Sequence, residues 1–230
     1  MNGRTILLVR VEDLRGFSHL TAAWSADGLS DWHIESGPTL APSKNYPEEE
    51  WGLEDPRIVW IEDDRRFAVI YVAYSGSGPL IALAMTEDFR EFTRFGPIMP
   101  PEDKDAALLP RRIKGRYVLI HRPIRQGEAH IWISFSPDLQ YWGGHRMLLP
   151  TRPGWWDGGH VGLGAQPIET PEGWLLIYHG VRTTVAGKLY RVGLALLDLE
   201  EPWRVRLRSP EWIFGPEAPY EIGGNVPGVV

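Results

Sequence analysis

Two carboxylates stand side by side in the stretch GLEDPRIVWI, where Glu54 and Asp55 come just before an apolar run and Arg57 follows them. A carboxyl group placed beside a substrate can act as a general acid or base. Asp before Pro is also a common turn signal, so Asp55 could simply form a turn and pair with Arg57. On these residues alone both interpretations stay open.

Polar and ionisable residues recur at similar places further along the chain. The stretch EDKDAALLP carries Lys104 and Asp105, and WWDGGHVGLG carries Trp155, Trp156 and His160. Further residues of this kind, at the ends of apolar stretches, are Arg10, Tyr74, Ser75, His121, Arg122, Tyr178 and His179. Adjacent antiparallel strands return their ends to the same side of a sheet. We therefore expect Asp55, Arg122 and His179 to meet in one cavity. They lie in three different repeats of the pattern described next, and the cavity would lie on the axis around which these repeats are arranged.

Four segments share one pattern: an apolar strand, Ser, Thr or Leu, then an Asp, and an aromatic residue four or five positions later. They are LTAAWSADGLSDW, IALAMTEDFREF, IWISFSPDLQYW and VGLALLDLEEPW. Their aspartates, Asp27, Asp88, Asp138 and Asp198, are separated by 61, 50 and 60 residues. Such a period, with about four strands per unit, is typical of β-propeller blades. We predict an all-β propeller in which each segment forms the outer hairpin of a blade, with its aromatic residue packed between blades.

The repeat is incomplete at both ends of the chain. The first unit starts at its second strand, TILLVR, and the last stretch, GNVPGVV, has the pattern of an inner strand with no blade behind it. A propeller closes on itself to hide its sheet edges. Either GNVPGVV completes the first blade, or the chain is a piece of a five-bladed protein. In both cases we predict a single propeller domain over residues 1–230.

Composition argues against several classes of protein. The net charge of −6 and the pI near 5.7 disfavour nucleic-acid binding, which usually needs a basic face. No stretch approaches the roughly 20 apolar residues of a membrane span. The absence of cysteine and an N-terminal apolar run too short for a signal peptide favour a cytoplasmic protein. The histidines are scattered without metal-ligand spacing, so no metal site is predicted.

Several stretches in order along the chain resemble glycoside hydrolase family 130. They are RVEDLRGFSHL, GLEDPRI, HRP, IWISFSPDLQYWGGHR, GWWD, IYHGV and YRVGLALLDLEEP. The resemblance implies a five-bladed β-propeller, of which this chain covers about four blades without the N-terminal inner strand and the C-terminal closure. It also implies an inverting phosphorylase that cleaves β-mannosides with inorganic phosphate, gives α-mannose 1-phosphate and needs no cofactor.

The resemblance also implies roles for individual residues. Asp55 becomes the catalytic acid, with its proton relayed through a mannose hydroxyl. The phosphate-binding positions are Lys104, Arg122, His160 and His179, and the sugar-binding positions are Asp13, Arg15, Glu54, Asp105, Trp155, Trp156 and Tyr190. His160 departs from the lysine of many relatives, and a histidine is cationic only below its pKa, near 6.5 when unperturbed. We therefore expect phosphate affinity to fall as the pH rises.

Simpler interpretations of the basic residues stay open. Arg122 could form a salt bridge to an acid of another blade, His179 could be a core histidine, and Lys104 could be a solvated surface lysine. Two other functions also remain: a β-mannoside hydrolase of the same fold, or a non-catalytic propeller that binds sugar. The predicted partners are a β-mannoside oligosaccharide and phosphate, with a homo-oligomer left open.

Overall fold

The structure is a computed structural model that describes residues 3–125, 127–185, 187–223 and 227–229. The chain divides into two compact units, Met1–Asp103 and Lys104–Val230. The regular secondary structure of both units consists almost entirely of β-strands, which confirms the predicted all-β class.

The first unit contains a seven-stranded sheet and one short 3-10 helix, Pro47–Glu49. Its strands are β1 (Thr5–Glu12), β2 (Ser18–Ser25), β3 (His33–Ile34), β4 (Gly52–Ile61), β5 (Arg66–Ser75), β6 (Gly78–Thr86) and β7 (Thr93–Pro97). Strands β4 to β7 form an antiparallel meander of four strands, the usual make-up of a propeller blade. Strands β1 to β3 form a shorter antiparallel group.

One pairing between strands brings these two groups of the first unit together. Ser18 of β2 pairs in parallel with Gly52, the first residue of β4. A Cβ on Gly52 would lie 2.5 Å from the side-chain oxygen and 2.6 Å from the backbone nitrogen of Ser18. Gly52 also has a φ of +135°, a backbone conformation that residues with a side chain rarely adopt. Glycine is therefore required where the strand that carries Glu54 and Asp55 begins.

The second unit contains two further four-stranded meanders. The first has β8 (Asp103–Leu108), β9 (Tyr117–Arg125), β11 (Ile131–Ser136) and β12 (Gly143–Leu149), with the short β10 (Glu128–Ala129) beside β9. The second has β13 (His160–Leu163), β15 (Gly173–Thr184), β16 (Gly187–Leu197) and β17 (Val205–Arg208), with β14 (Ile168–Thr170) beside β15. A short helix, α1, spans Pro219–Ile222.

Each unit has its own apolar core, formed by the central strands of the meanders. β5 reads RFAVIYVAYS and is buried on both faces, as its run of β-branched and aromatic residues predicts. In the second unit the core includes Ile120, Ile133, Trp174 and Leu176, all with no exposed surface. Full burial of one such side chain stabilises the fold by about 1.5–3 kcal/mol. The cores thus hold in place the strands that carry the candidate site residues.

The four repeated aspartates occupy equivalent turns between the last two strands of each group. In every case Oδ1 accepts hydrogen bonds from the backbone N–H groups two and three residues later, at 2.8–3.2 Å. These bonds lower the pKa of all four carboxyl groups. The predicted hairpins are confirmed, and their outer position in a propeller stays a prediction.

The aromatic residue of the pattern packs between meanders in one clear case. In the second unit, the ring of Trp203 meets that of Phe135 in the preceding meander, with centroids 5.7 Å apart. Phe92 of the first unit instead contacts Phe89 of its own turn, at 6.4 Å. The prediction therefore holds for Trp203 and is incomplete for Phe92.

Strand β1 lies at the edge of the seven-stranded sheet. Within the described residues, β1 pairs only with β2, and Leu7, Val9 and Val11 are exposed on it. Most of the stretch GNVPGVV lies outside the described residues, and residues 227 to 229 form no strand. The number of blades in a closed ring and the single domain over residues 1–230 stay predictions. In the described part of the chain, no helix has the length and apolar character needed to cross a bilayer.

Candidate functional site

Asp55 lies at an irregularity of β4, inside the strand rather than before it. Glu54 pairs with Val72 and Arg57 with Ile70, so β4 carries one extra residue between these two pairs. This β-bulge coincides with a φ of +48° at Asp55. Backbone strain at a non-glycine residue and bulges of this kind are both frequent at functional sites.

Arg10 of β1 contacts both carboxylates. Its Nη2 lies 3.0 Å from Oε1 of Glu54, and its Nη1 lies 3.7 Å from Oδ1 of Asp55. The Glu54 side chain is 9% exposed and that of Asp55 is 32% exposed. We call Arg10, Glu54 and Asp55 the carboxylate cluster; in it the buried acid pairs closely with the arginine and the other acid is open to solvent.

The pairing of Asp55 with Arg57 takes a form that the sequence does not predict. Arg57 Nη1 donates a hydrogen bond to the backbone carbonyl oxygen of Asp55 at 3.2 Å. This bond stabilises the backbone of the bulge. The side-chain carboxylate of Asp55 lies instead beside Arg10. Arg10 was recognised in the sequence only as a polar strand end, and its contact with residues more than forty positions away has no local signal.

Asp13 and Arg15 lie in the turn between β1 and β2. Oδ1 of Asp13 accepts a hydrogen bond from the backbone N–H of Arg15 at 2.8 Å, and Oδ2 accepts one from Nη2 of the Arg15 side chain at 2.6 Å. The hydrogen bond from the Arg15 side chain lowers the pKa of Asp13. Both side chains are exposed, and their shared contacts order the turn.

In the second unit, Asp105 stands between two of the predicted phosphate ligands. Its Oδ2 lies 2.8 Å from Nε of Arg122 and 3.6 Å from Nε2 of His179. Asp105 is buried, and the Arg122 side chain is 11% exposed. Arg122 therefore does form a salt bridge, but its partner belongs to the same meander and not to another one.

Three aromatic rings complete this group. The centroid of His160 lies 6.3 Å from that of His179 and 5.9 Å from that of Tyr190, and His179 lies 5.9 Å from Tyr190. We call Asp105, Arg122, His160, His179 and Tyr190 the histidine–arginine cluster. Its members come from β8, β9, β13, β15 and β16, so both meanders of the second unit contribute.

Burial, together with the nearby charges of Arg122, His179 and Lys188, lowers the pKa of His160 to about 4. The opposing influence of Asp105 is weaker. The ring is therefore neutral near pH 7, where it can still donate or accept one hydrogen bond. The sequence-based expectation used an unperturbed histidine, and neither the burial nor the contribution of Lys188 was foreseen.

Gly162 of β13 gives this cluster its space. It pairs with His179 across the sheet. A Cβ at this position would overlap Oδ2 of Asp105 and would lie 2.5 Å from Cε1 of His179. The glycine was not singled out in the sequence, since many turns and strands of this chain contain one.

The remaining predicted contacts lie in different surroundings. Lys104 is the second residue of β8 and is partly buried. Trp155 is 44% exposed, and its Nε1 donates to the carbonyl oxygen of Pro210. Trp156 is only 9% exposed and stacks on Tyr178 with centroids 5.6 Å apart. The burial of Trp156 disfavours its predicted contact with the sugar, whereas the exposure of Trp155 favours the contact predicted for that residue.

The carboxylate cluster belongs to the first unit and the histidine–arginine cluster to the second. The meeting of Asp55 with Arg122 and His179 in one cavity stays a prediction. Arg122 and His179 do come together, with Asp105 between them. Among the described residues, no group of three or more His, Asp or Glu side chains could hold a metal ion.

The sequence matches a family model described as beta-1,4-mannooligosaccharide phosphorylase over residues 3–230. A beta-1,2-mannobiose phosphorylase of Listeria innocua serovar 6a is 40% identical over 225 residues, covering 94% of this chain and 61% of that protein. A beta-1,4-mannooligosaccharide phosphorylase of Ruminococcus albus is 37% identical over 235 residues, covering 99% of this chain and 69% of that protein. The chain thus spans less than two thirds of the length of the first of these relatives.

Solved structures agree with these relatives. The Listeria innocua beta-1,2-mannobiose phosphorylase in complex with beta-1,2-mannobiose superposes with a TM-score of 0.84 and 39% identity, over 93% of this chain and 59% of that one. Another structure superposes with a TM-score of 0.87 and 25% identity, over 100% of this chain and 74% of that one. It accompanies the finding that this family of mannoside phosphorylases contains hydrolases that target beta-1,2-mannosidic linkages in Candida mannan.

Proposed function

Because the chain belongs to glycoside hydrolase family 130, we propose that it is an inverting phosphorylase that cleaves β-mannosides with inorganic phosphate to give α-mannose 1-phosphate. Relatives at 36–40% identity are named as phosphorylases of beta-1,2- or beta-1,4-linked mannosides. The observation that carries the proposal is the histidine–arginine cluster, which places a largely buried arginine beside two histidines in a chain of net charge −6.

The histidine–arginine cluster has the chemistry of a phosphate site. The planar guanidinium of an arginine suits bidentate contact with a phosphate oxyanion. His160 and His179 add ring nitrogens that can donate hydrogen bonds, and Lys104 in the neighbouring β8 supplies a further positive charge. A local cluster of this kind is needed to attract an anion against the negative field of the whole chain.

Asp55 is proposed as the catalytic acid. A phosphate oxygen attacks the anomeric carbon of the mannose from the side opposite the leaving group, and the bond from that carbon to the leaving oxygen breaks. The leaving oxygen gains a proton that Asp55 supplies through a mannose hydroxyl. Phosphate replaces the base and the water of an inverting hydrolase, so one carboxylic acid is sufficient.

The surroundings of Asp55 support this role over a purely structural one. Its side chain is 32% exposed, whereas its neighbour Glu54 is buried against Arg10. The bulge in β4 and the left-handed backbone at Asp55 cost energy that an ordinary strand would avoid. Glu54, held by Arg10, is proposed to contact the sugar and not to transfer the proton.

Sugar binding is assigned to residues with exposed polar or aromatic surface. Asp13 and Arg15 are proposed to hydrogen-bond the mannose from the β1–β2 turn. Trp155 and Tyr190 are proposed to stack on the leaving sugar, because an aromatic face suits the apolar face of a pyranose ring. We retain Trp156 as support for these contacts, since its own ring is stacked on Tyr178.

A β-mannoside hydrolase is the second candidate, favoured by the hydrolases known among the structural relatives. A hydrolase requires a second carboxylate to activate water. It would turn over at the same rate with and without phosphate.

The deciding experiment is incubation of the full chain with β-1,2- and β-1,4-linked mannosides, with and without inorganic phosphate. We expect α-mannose 1-phosphate only when phosphate is present. Arg122→Ala should raise the phosphate requirement about 10- to 150-fold, the effect of losing a charge-assisted hydrogen bond of about 1.5–3 kcal/mol. Free mannose released equally in both conditions would instead establish the hydrolase, and mannoside binding without turnover would indicate a sugar-binding propeller.

The remaining proposals concern the setting of the reaction. The substrates are a β-mannoside oligosaccharide and phosphate, with no cofactor or metal required. A cytoplasmic location is proposed as well; the absence of cysteine is compatible with it, because the chain can form no disulfide.

A further inference from the structure

Asp105 contacts two of the proposed phosphate ligands through a single carboxylate oxygen. We propose that Asp105 is a positioning residue that orients Arg122 and His179 for the incoming phosphate, and that Gly162 provides the space in which its carboxylate sits. This inference rests on the proposed phosphate site.

The contact with Arg122 is made at a particular atom. Asp105 Oδ2 lies 2.8 Å from Nε of Arg122, on the side of the guanidinium nearest its own backbone. This ion pair at Nε restrains the guanidinium group, while phosphate recognition by arginine uses pairs of N–H groups in the guanidinium plane. Both side chains are largely buried, so water screens the ion pair little.

The same oxygen lies 3.6 Å from Nε2 of His179. His179 therefore lies close to Asp105 as well as to the rings of His160 and Tyr190. A carboxylate beside one imidazole nitrogen influences both the tautomer and the orientation of the ring. One acidic group can thus set the direction of two ligands that come from different strands.

Gly162 makes this arrangement possible. It faces His179 in the register of β13 with β15, and a Cβ there would overlap the Asp105 carboxylate. The ring atoms Cε1 and Nε2 of His179 would lie 2.5 and 2.7 Å from that Cβ. Even alanine would force the carboxylate or the imidazole to move.

The backbone of Asp105 repeats a feature of Asp55. Both residues have φ near +50°, at +51° and +48°, and both lie in the first strand of a meander. They are 50 residues apart, the same interval that separates the turn residues Asp88 and Asp138. Asp105 thus occupies in its repeat the place of the proposed acid, and the strained conformation is kept where the carboxylate binds Arg122.

Positioning and simple charge make opposite predictions for this residue. A carboxylate close to a phosphate site repels the anion, so removal of its charge alone would strengthen phosphate binding. If Asp105 orients Arg122, its removal weakens phosphate binding despite the gain in positive charge. The sign of the change separates the two roles.

The test measures the binding of inorganic phosphate to the full chain by calorimetric titration, together with KM for phosphate and for the mannoside. We expect Asp105→Ala to weaken phosphate binding at least about tenfold. Asp105→Asn keeps a polar oxygen of the same size beside Nε of Arg122 and should weaken phosphate binding less. Gly162→Ala should weaken it although Asp105 and Arg122 are both intact. In each variant KM for the mannoside should change much less than KM for phosphate.

Glu169→Gln provides a matched control, because Glu169 Oε1 accepts a hydrogen bond from Nε of Arg111 at the same 2.8 Å, between side chains that are 38% and 36% exposed. It should leave phosphate binding unchanged. Circular dichroism and thermal unfolding establish that each variant is folded. If Asp105→Ala does not fold, Asp105→Asn and Gly162→Ala decide the question.

Phosphate binding that is equal or tighter in folded Asp105→Ala, or unchanged in both other variants, would overturn the positioning role. Arg122→Ala distinguishes that failure from a failure of the proposed function. If Arg122→Ala alone weakens phosphate binding, the phosphate site stands and only the role of Asp105 is wrong. If the unaltered chain binds no phosphate, both are wrong.

Discussion

The protonation of His160 is expected to have no influence on phosphate binding near neutral pH. Burial, Arg122, His179 and Lys188 lower its pKa to about 4, against the weaker opposing charge of Asp105. A histidine of ordinary pKa would change from about one half protonated at pH 6.5 to about 3% at pH 8. With a pKa of about 4, His160 is protonated in less than about 1% of molecules throughout this range.

The expected consequence concerns the dissociation constant of phosphate from His160→Gln divided by that from the unaltered chain. We expect this ratio to stay constant between pH 6.5 and 8. Inorganic phosphate is titrated calorimetrically into the unaltered chain and into His160→Gln at pH 6.5, 7.25 and 8. Glutamine can hydrogen-bond but cannot become cationic, and the ionisation of phosphate itself cancels in the ratio. An ordinary histidine would change the ratio up to about 16-fold, in proportion to its protonated fraction. A ratio that grows about tenfold as the pH falls from 8 to 6.5 would refute the reasoning and restore the expectation drawn from the sequence.

Further predictions address the acid, the core and the turns. Asp55→Asn should lower phosphorolysis of a natural mannoside about 10²–10⁴-fold while partly sparing a mannosyl fluoride, with Glu54→Gln the milder change; the reverse order in a mannose 1-phosphate assay would mean that the wrong carboxylate was chosen. Asp157 has no exposed surface and binds Arg152 and Arg208 at 2.8 and 2.7 Å, so Asp157→Asn should destabilise the fold by about 3–5 kcal/mol in urea unfolding. A loss below about 1 kcal/mol would place this pair among weak surface ion pairs. The four turn aspartates have lowered pKa values in the folded chain. Their stabilising contribution is therefore present above their unfolded pKa near 3.9 and is lost as the pH falls below it. Asp138→Asn should make the free energy of unfolding fall less steeply with decreasing pH in this acid range, and an unchanged slope would contradict this.

The repeat and the turns could be predicted from the sequence because their causes are local. Asp138 accepts the N–H groups of residues two and three positions later, and such a bond depends only on a few consecutive residues. The apolar run of β5 likewise indicates a strand buried on both faces. The order of the strands within each meander follows from short connections between neighbours.

The carboxylate cluster was predicted only in part. The motif GLEDPRI drew attention to Glu54 and Asp55, but the contact with Arg10 joins residues 44 and 45 positions apart. The bulge that gives Asp55 its left-handed backbone depends on how β4 pairs with β5, which no single stretch of sequence specifies.

The sequence by itself determined the all-β class, the repeated aspartate turns and the residue types available for acid and phosphate chemistry. Only the tertiary structure decided that Arg122 pairs with Asp105 and that His160 is buried enough to be neutral. It also decided that Gly162 leaves room for the Asp105 carboxylate and the His179 ring. The physical reason is that hydrogen bonds in turns are fixed by neighbours along the chain. Charge, burial and free space at a site are instead set by side chains from five strands, whose mutual distances exist only after the sheets have packed.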